Sequence, residues 1–453
     1  MTKILSFVTL LLFLATTAQA VQPNLLVIIT DQQSGTMLSC AGNKYLKTPN
    51  MDSLADVGTR FERAYATNPV CLPARFSFLT GHYPGEVGIR SNPQRAKKDL
   101  APFAQKALGN VLRKAGYRTV FGGKRHLPGL MGDVKKCGFE YLTPNERDGL
   151  AQQCAKFLQE KQEKPFLLVA MLINPHDICY QAIRAHDPKS RLATRTPAPL
   201  DEALKLPPGM SEKDFFAKVC PPLPANFEPT DKEPDAYAFL LNQRKFRLHA
   251  RDNWGEKEWR MHRWAYCRLT ERVDQQIGVI LDALRKSEYA DDTAIFFTSD
   301  HGDLDGAHRF EHKTLFYEES ARVPMILCPP KSDCPSAQVD DEHLVSVGLD
   351  LFPTLCDYAQ VKPPAGLRGK SLRPLACGKT VEDWRKALLI ENEIGDAIVS
   401  GPWKYAEFFV GEKVTRTLFN LQDDPGEMRN LAYDAKYAGQ VKKLSAKLQK
   451  LKH

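Results

Sequence analysis

The chain has 453 residues, of which 43% are hydrophobic and 26% charged. This composition is typical of a globular protein with a large core, and it excludes a mostly disordered, fibrous or multispan membrane protein. The net charge of +8 comes from basic residues scattered along the chain, so an anionic substrate explains it at least as well as a nucleic acid, and we expect no nucleic-acid partner. Because the eleven cysteines are odd in number, at least one thiol stays unpaired or is chemically altered.

The first twenty residues have the features of a secretory signal peptide. Lys3 supplies a positive charge, an apolar run covers 4–15, and an Ala-Gln-Ala triplet ends at Ala20. The apolar run is short for a membrane span, and no second span follows it. We therefore expect an exported protein, periplasmic or secreted, that is cleaved near Ala20 and has no stable membrane anchor. Disulfides are allowed in that compartment.

Apolar runs alternate with amphipathic stretches along the rest of the chain. The predicted strands are 24–30, 119–121, 166–173, 293–298 and 324–327. The predicted helices include 103–115 and 259–285. Near-continuous apolar runs are typical of parallel strands that are buried on both faces. Their alternation with helices predicts an α/β fold with a doubly wound, mostly parallel sheet.

Two regions depart from this pattern. A Pro-, Lys- and Arg-rich stretch at about 177–254 has no clear periodicity, which predicts an insertion over one edge of the sheet. After about Cys377 short strand candidates precede a Lys-rich amphipathic helix at 435–451; these strands are 387–390, 403–409 and 415–421. The sequence therefore predicts a signal peptide at 1–20, a large α/β domain at 21–376 and a smaller C-terminal α+β subdomain at 377–453.

Polar side chains directly follow four of the predicted strands. They are Asp31, Lys124, His126, His176, Asp300 and His301. In an open parallel sheet, ligands bind in the crevice outside the carboxyl ends of the strands. Strand ends are routinely polar, so a single such residue carries little weight, but four segments together favour a binding site at this edge.

Two of these strand ends offer metal ligands. The candidates are Asp31, Gln32, Asp300 and His301. Two carboxylates and an amide oxygen suit a hard divalent ion such as Ca²⁺ or Mg²⁺, and the imidazole leaves Mn²⁺ or Zn²⁺ open. His308 and His312 are close in sequence, but a lone loop histidine is more often a surface residue, and we leave both outside the metal set.

The sharpest local signal is C-L-P-A-R at 71–75, followed by F-L-T-G. Pro73 suits the first turn of a helix, and Gly81 is a helix terminator. Cys71 would then lie just before a helix N-terminus, where free N–H groups and the dipole favour an anion. Arg75 in the first turn can direct its guanidinium at that anion. Cys71 is thus either a low-pKa nucleophile or a buried apolar thiol.

C-L-P-A-R with F-L-T-G resembles the signature of the type I sulfatases, whose cysteine is oxidised to Cα-formylglycine during export. Further motifs agree in order and approximate spacing: I-I-T-D-Q, G-K-R-H, N-P-H, S-D-H-G-D, E-H-K before Y-E-E-S-A-R-V-P, and L-F-N-L-Q-D-D-P-G-E-M-R-N-L-A. The resemblance covers nearly the whole chain after the signal peptide. It implies an alkaline-phosphatase-like α/β fold, which agrees with the doubly wound sheet.

The resemblance also implies the cofactors. Cys71 would be the formylglycine precursor, and a formylglycine-generating or sulfatase-maturating enzyme would be its partner. In the hydrated form one hydroxyl attacks sulfur and the second expels sulfate. The residues that match the family's metal positions are Asp31, Gln32, Asp300 and His301. Ca²⁺ is the expected ion, with Mg²⁺ or Mn²⁺ as alternatives.

Five more residues take roles from the resemblance. Arg75, Lys124 and Lys313 would neutralise charge on the sulfuryl oxygens, together with the metal. His126 would be the base for the second step. His176, with or without Lys313, would be the acid for the leaving oxygen.

Two metal positions depart from the family pattern. Many members carry a second aspartate where Gln32 stands and asparagine where His301 stands. Glutamine removes one negative charge, which predicts weaker metal binding or a different ion. Val70 replaces a frequent leucine, a change that we expect the modifying enzyme to tolerate.

We therefore predict a sulfate ester hydrolase acting on a sulfated glycan, such as a glycosaminoglycan or a marine polysaccharide fragment. One alternative is a phosphonate or phosphate ester hydrolase, because formylglycine and one metal can serve both chemistries. The other is a non-catalytic anion-binding protein that keeps Cys71 as a thiol. The matching acids, lysines and histidines count against this alternative, because a protein that only binds an anion does not need them all. If Cys71 is converted, ten cysteines remain, an even number that is compatible with pairing.

Candidate substrate contacts lie in the basic part of the insertion. They are Arg244, Arg247, His249, Arg251 and Trp254, which could supply cationic and stacking contacts to sugar and sulfate. A solvated basic surface explains each of them equally well. Trp259, Trp264 and Tyr266 lie at helical spacing and are predicted to be packing residues.

Overall fold

The computed structural model describes residues 22–333 and 337–452. The predicted signal peptide at 1–20 lies outside these ranges, so export and cleavage stay predictions. Within them, no helix combines the length and the apolar character needed to cross a bilayer.

The strands of the described residues form three sheets. In chain order they are β1 Asn24–Asp31, β2 Thr59–Phe61, β3 Ala64–Tyr65, β4 Arg118–Gly123, β5 Glu140–Tyr141, β6 Phe166–Pro175, β7 Thr293–Ser299, β8 Met325–Cys328, β9 Gln338–Asp340, β10 Val345–Ser346, β11 Leu388–Glu391, β12 Gly395–Ser400, β13 Trp403–Val410 and β14 Lys413–Asn420.

The helices surround these sheets. They are α1 Pro49–Ala55, α2 Cys71–Thr80, α3 Ala101–Gln105, α4 Leu108–Lys114, α5 Leu150–Gln159, α6 Cys179–His186, α7 Ala198–Ala203, α8 Glu212–Lys218, α9 Asp235–Gln243, α10 Lys245–Asn253, α11 Glu256–Arg285, α12 Glu318–Ala321, α13 Val347–Tyr358, α14 Arg373–Ala376 and α15 Ala438–Lys452.

The main sheet has eight strands in the order β5-β4-β6-β1-β7-β8-β2-β9. β1 lies at its centre, parallel to β6 and β7, while β8 runs antiparallel to β7. All eight residues of β1 are buried. Alternate β1 residues pack towards α2 and α13 on one face and towards α5 and α11 on the other. The predicted mostly parallel, doubly wound sheet is thus confirmed.

The register of the central strands brings their carboxyl ends to one edge. Asp31 of β1 is level with Pro175 of β6, and Thr30 of β1 is level with Ser299 of β7. Because the strands are parallel, the polar residues that follow them converge there. The active-site candidates lie at this edge.

One helix prediction needs correction, and the insertion contains helices that the sequence pattern did not indicate. The predicted helix 103–115 is two helices, α3 and α4, because the chain is extended at Ala107 and the Asn110 side chain donates to the Ala104 carbonyl instead. The insertion at about 177–254 contains α6 to α10, none longer than nine residues. Such short helices are interrupted too often for a periodic pattern to emerge.

The C-terminal sheet is antiparallel, with β11 to β14 in sequence order. α15 packs against it through the buried side chains of Leu444 and Leu448. The predicted small α+β unit is confirmed, although the domain boundaries stay a prediction. The turn between β11 and β12 reaches the main domain, where Asn392 Nδ2 donates to the Thr314 carbonyl over 2.8 Å.

Nine of the described cysteines are free thiols, and Cys377 is disulfide-bonded. The free ones are Cys40, Cys71, Cys137, Cys154, Cys179, Cys220, Cys267, Cys328 and Cys356. Although the ten cysteines other than Cys71 are even in number, most of those in the described residues do not form disulfides. Most of these thiols are buried and act as small apolar side chains.

A buried ion cluster joins the C-terminal sheet to α12. Lys404 of β13 lies 2.8 Å from Glu318 and 2.7 Å from Glu427. Burial, reinforced by Glu318, raises the pKa of Glu427 to about 8, although Lys404 acts in the opposite direction. Two carboxylates share one ammonium, so one of them holds a proton more readily than the other.

This cluster predicts a pH-dependent stability. The folded chain keeps a proton on Glu427 that the unfolded chain releases near its ordinary pKa of 4.5, so the free energy of unfolding falls as pH rises from about 5 through about 8. Glu427→Gln stays neutral and should flatten that fall. Urea unfolding at several pH values measures it, with exposed Glu382→Gln as the control. Equal pH slopes in the wild type and Glu427→Gln would contradict the prediction.

Candidate active site

Asp31 ends β1 and Gln32 follows it, at the centre of the site. Both are fully buried. Gln32 has a φ of 70°, a left-handed conformation that non-glycine residues adopt only when the surroundings hold it. The Tyr266 hydroxyl donates to the Gln32 carbonyl over 2.6 Å and accepts the Ser34 backbone N–H over 2.8 Å. Tyr266 therefore fixes this turn as well as packing in the core.

Cys71 is the first residue of α2 rather than the residue just before it, and Gly81 closes the helix in the left-handed conformation. The cysteine is fully buried. Its Sγ lies 2.9 Å from Lys313 Nζ, 3.1 Å from His301 Nε2 and 3.7 Å from Asp31 Oδ1. The nucleophile candidate thus meets the end of β1 and the segment after β7.

Arg75 lies one turn further along α2, with no exposed surface. Its Nη2 donates to Asp31 Oδ2 over 2.8 Å, and its Nε donates to Asp300 Oδ2 over 3.0 Å. Its Nη1 donates to the Lys124 carbonyl over 2.9 Å. The guanidinium therefore ties α2 to three strand ends, and its charge lies beside Cys71.

The two buried carboxylates each present one oxygen to cations and one to the centre of the site. Lys124 Nζ lies 2.6 Å from Asp31 Oδ2, the oxygen that also accepts from Arg75. The Oδ1 atoms of Asp31 and Asp300 lie 3.8 Å and 3.5 Å from His301 Nε2. These inner oxygens remain available to a further cation.

The inner atoms fit a divalent metal. Asp31, Cys71, Asp300 and His301 each offer one ligand atom, and these atoms all lie within 4.8 Å of one another. Gln32 Oε1 adjoins them, because it shares Lys313 Nζ with Cys71 Sγ at 2.9 Å each. Carboxylate and amide oxygens with one imidazole suit the ions expected from the sequence. The structure therefore brings the four predicted metal residues together.

The electrostatics of the site favour an anion at position 71. Burial alone would raise the pKa of the Cys71 thiol, but Lys313, Lys124 and His301 lower it well below its ordinary value. Burial and the neighbouring Asp31 raise the pKa of Asp300. Positive charge thus dominates around the nucleophile, as an oxyanion requires.

His126 and His176 lie at the open side of the site. His126 lowers the pKa of the Cys71 thiol, and Cys71 in turn acts on the pKa of His176, so both side chains lie close to the thiol. Burial, with Lys124, lowers the pKa of His176 to about 4, so its ring is neutral near pH 7. A bound anion would add negative charge beside the ring and favour its protonated form. The proton-transfer roles of both histidines stay predictions.

The five candidate substrate contacts all have neighbours within the fold. Two of the arginines form ion pairs, Arg244 with Glu393 and Arg251 with Glu233 at 2.8 Å. The two rings pack on other rings, Trp254 on Trp259 with centroids 4.9 Å apart and His249 on His186 with centroids 5.5 Å apart. Arg247 is buried and donates to the Lys313 carbonyl over 3.0 Å. Arg247 therefore reaches the site through the Lys313 backbone. Substrate contact by these residues stays a prediction.

His308 and His312 are interior residues, which corrects the expectation of surface histidines. The His308 ring stacks on Tyr317 at 3.7 Å, and His312 Nδ1 lies 2.9 Å from Glu311 Oε2. The segment is buried because Arg247 and Asn392 hold its Lys313–Thr314 backbone from two sides. Among the described residues neither histidine belongs to the metal cluster.

Asp303 and His262 are site residues that sequence reasoning missed. Asp303 Oδ2 accepts from Gln32 Nε2 over 2.6 Å, and His262 Nε2 lies 3.4 Å from Asp303 Oδ1. Asp303 is in the S-D-H-G-D motif, two residues after His301. His262 is one helical turn before Tyr266 on α11, and that i, i+4 spacing was the available signal.

Comparison with known proteins identifies the family. The sulfatase family model matches residues 23–361, and the model of the N-sulphoglucosamine sulphohydrolase C-terminal region matches 306–453. The chain is 27% identical to a Δ4,5-hexuronate-2-O-sulfatase of Bacteroides thetaiotaomicron, over 92% of this chain and 86% of the relative.

Solved structures agree with this assignment. A 2-O GAG sulfatase is 25% identical with a TM-score of 0.79, covering 95% of this chain and 91% of that one. The phosphonate monoester hydrolase of Agrobacterium radiobacter shares the fold at 22% identity, with a TM-score of 0.72 and 95% coverage of each chain. The family model matches most of the chain. The chain therefore belongs to the sulfatase family and is a sulfuric ester hydrolase.

Proposed function

We propose that this protein removes sulfate from a sulfated glycan, such as a glycosaminoglycan or a marine polysaccharide fragment, using a formylglycine made from Cys71 and a bound divalent metal. The position of Cys71 carries the proposal, because its Sγ lies among Lys313, His301 and Asp31. The relatives named above support the sugar class, since they act on hexuronate or GAG sulfates by their names. Export through the predicted signal peptide at 1–20 is part of the proposal.

The proposed reaction has two steps, a displacement at sulfur and an elimination of sulfate from residue 71. Formylglycine, once formed by a maturating enzyme, supplies a hydrated aldehyde with two hydroxyls on one carbon. The first hydroxyl gives its proton to Asp300 as its oxygen bonds to sulfur. The ester S–O bond breaks, and the leaving oxygen takes a proton from His176. The second hydroxyl then gives its proton to His126, the aldehyde C=O reforms, and the C–O bond to sulfate breaks. No water attacks sulfur.

The chain's own residues would handle charge and protons in these steps. Lys124 and Lys313 face the nucleophile position and stabilise negative charge on the sulfuryl oxygens. Arg75 holds Asp31 and Asp300 in place.

The metal ligands would be Asp31, Gln32, Asp300 and His301. A bound divalent ion would supply Lewis-acid neutralisation of a sulfuryl oxygen. His126 and His176 would move protons at the open side.

A second candidate function is phosphonate or phosphate ester hydrolysis. Gln32 and His301 favour it, because this pair departs from the aspartate and asparagine that many sulfatases carry. With one negative charge fewer among the ligands, the site tolerates a more highly charged substrate. Sulfate ester hydrolysis remains the primary proposal because the family assignment is to sulfatases.

The test is expression with and without a formylglycine-generating partner, followed by the mass of the peptide that contains residue 71. We expect conversion only with the partner, and activity that follows conversion. Rates on aryl sulfate, aryl phosphate and phosphonate esters then separate the two chemistries, with sulfate expected to be fastest. A panel of defined sulfated oligosaccharides identifies the sugar. Full activity with an unmodified thiol, or faster phosphoryl turnover, would overturn the proposal.

A further inference from the structure

As a metal ligand, Gln32 differs from an aspartate in that its two terminal atoms are not equivalent. Its amide has one oxygen and one nitrogen of almost the same shape, and only the oxygen can bind a divalent ion. Rotation of the amide by half a turn exchanges the two atoms. Something outside Gln32 must therefore decide which atom faces Asp31 and Asp300.

The charges of Asp303 and Lys313 determine the orientation of the Gln32 amide. Gln32 Nε2 donates to Asp303 Oδ2 over 2.6 Å, and Gln32 Oε1 accepts from Lys313 Nζ over 2.9 Å. In the opposite orientation the amide oxygen would face a carboxylate and the NH₂ group would face an ammonium. Both contacts would then be repulsive, so only one orientation fits.

Asp303 is itself surrounded by donors. Its Oδ1 accepts the backbone N–H of Asp305 over 2.8 Å and faces His262 Nε2 at 3.4 Å. His262 Nδ1 lies 3.0 Å from Gln181 Oε1, and the ring is packed by Trp254 at 5.7 Å. Asp303 and His262 have no exposed surface. This arrangement holds a carboxylate, rather than a carboxylic acid, against the Gln32 amide.

Helix α11 thus fixes both ends of Gln32. Tyr266 binds its main-chain carbonyl directly, and His262 reaches its side chain through Asp303. His262 and Tyr266 are four residues apart, so they lie on the same face of the helix. The helix is 30 residues long and packs along the sheet, which gives these contacts a rigid support.

We propose that Asp303 and His262 are positioning residues that hold the Gln32 oxygen towards the metal site, and that Asp303 supplies from behind the negative charge that Gln32 lacks. The inference rests on the metal site of the proposed function. It explains how glutamine can stand where many sulfatases carry aspartate. The negative charge that an aspartate ligand would carry lies instead on Asp303, which accepts a hydrogen bond from the ligand Gln32.

The decisive variant is Asp303→Asn. The introduced asparagine would keep its oxygen towards His262 and the Asp305 N–H, which leaves its NH₂ group facing Gln32 Nε2. The Gln32 amide then has no orientation with two favourable contacts, because its NH₂ group meets either the introduced NH₂ group or Lys313 Nζ. Its oxygen is therefore no longer held towards the metal site. We expect the affinity for Mn²⁺ and for Ca²⁺ to fall roughly 10- to 100-fold, the usual effect of losing such an outer partner.

A paired exchange separates positioning from general damage. Gln32→Glu alone places a carboxylate against Asp303 and should also weaken metal binding. When it is combined with Asp303→Asn, the introduced glutamate accepts from the NH₂ group of the introduced asparagine, so the hydrogen bond and the total charge are both restored. We expect the double variant to regain affinity to within a few-fold of wild type, an effect that a purely structural role does not predict.

The matched control is Asp274→Asn, a change to another buried aspartate of α11, which accepts from the Met51 backbone N–H over 2.8 Å away from the site. It should lower stability and leave metal affinity unchanged. Metal-free protein is titrated with Mn²⁺, followed by electron paramagnetic resonance, and with Ca²⁺ by calorimetry. Unchanged affinity in Asp303→Asn, or a double variant no better than it, overturns the inference. Failure of wild type to bind either ion instead removes the metal from the proposed function, and the inference with it.

Discussion

Replacement of Cys71 by alanine should lower the turnover number about 10⁴-fold or more, the scale of effect seen when a covalent nucleophile is removed. Alanine keeps the Cβ but can be neither a thiolate nor a formylglycine precursor. The fold should survive, because the loss is one buried sulfur atom that contacts Lys313 and His301. Turnover of an aryl sulfate by the partner-matured protein, with the unfolding midpoint measured alongside, gives both quantities.

The control for this variant is Cys154→Ala. Cys154 is also a free, fully buried thiol, but it lies in the core under α5. Its loss should cost about 1 kcal/mol of stability, as removal of a buried methyl-sized group does, and leave turnover unchanged. A Cys71→Ala enzyme that kept more than a few per cent of its activity would exclude Cys71 as the nucleophile.

Replacement of Arg75 by methionine should destabilise the fold by about 3–5 kcal/mol in the absence of divalent ions. Arg75 is the shared partner of Asp31 and Asp300, and all three side chains are fully buried. Methionine fills similar space but leaves Asp300 without its guanidinium partner and Asp31 with Lys124 as its remaining close cation. The pKa values of both carboxyls should then rise, so the variant should lose stability as pH increases. Added Ca²⁺ should restore part of the loss, because a divalent ion replaces the missing charge.

Chemical unfolding with a chelator, and again with Ca²⁺, measures this effect. The matched control is Arg118→Met, which breaks an exposed pair with Glu140 at 2.8 Å. Such surface pairs contribute less than about 1 kcal/mol. If the two variants were equally stable in chelator, Arg75 would not be the counterion that holds the site together.

The convergence of the metal residues could be predicted from sequence because it depends on one rule. Asp31 and Asp300 follow buried apolar runs, and parallel strands end at the same edge of a sheet. The approximate position of α2 could also be predicted, since Pro73 suits a first turn and Gly81 ends the helix. No side-chain detail was needed for either prediction.

The partners of Arg75 and Gln32 could not be predicted in the same way. The sequence pattern predicts that the Arg75 guanidinium lies near Cys71, but it does not predict that two carboxylates from other strands bind it. Likewise, Gln32 could be interpreted only as a lost charge, because His262 lies 41 residues before Asp303 on a separate element. Contacts between distant segments depend on packing, which a local pattern does not contain.

The complete burial of Cys71 also sets an order of events in time. The side chains that enclose its Sγ come from much later in the chain, His301 by 230 residues and Lys313 by 242. Before those segments are synthesised the cysteine is open, and after they fold it has no surface that a second protein could reach. An enzyme that converts Cys71 to formylglycine therefore has to meet an unfinished or unfolded chain. The fraction of active molecules would then depend on the rate of modification relative to the rate of folding.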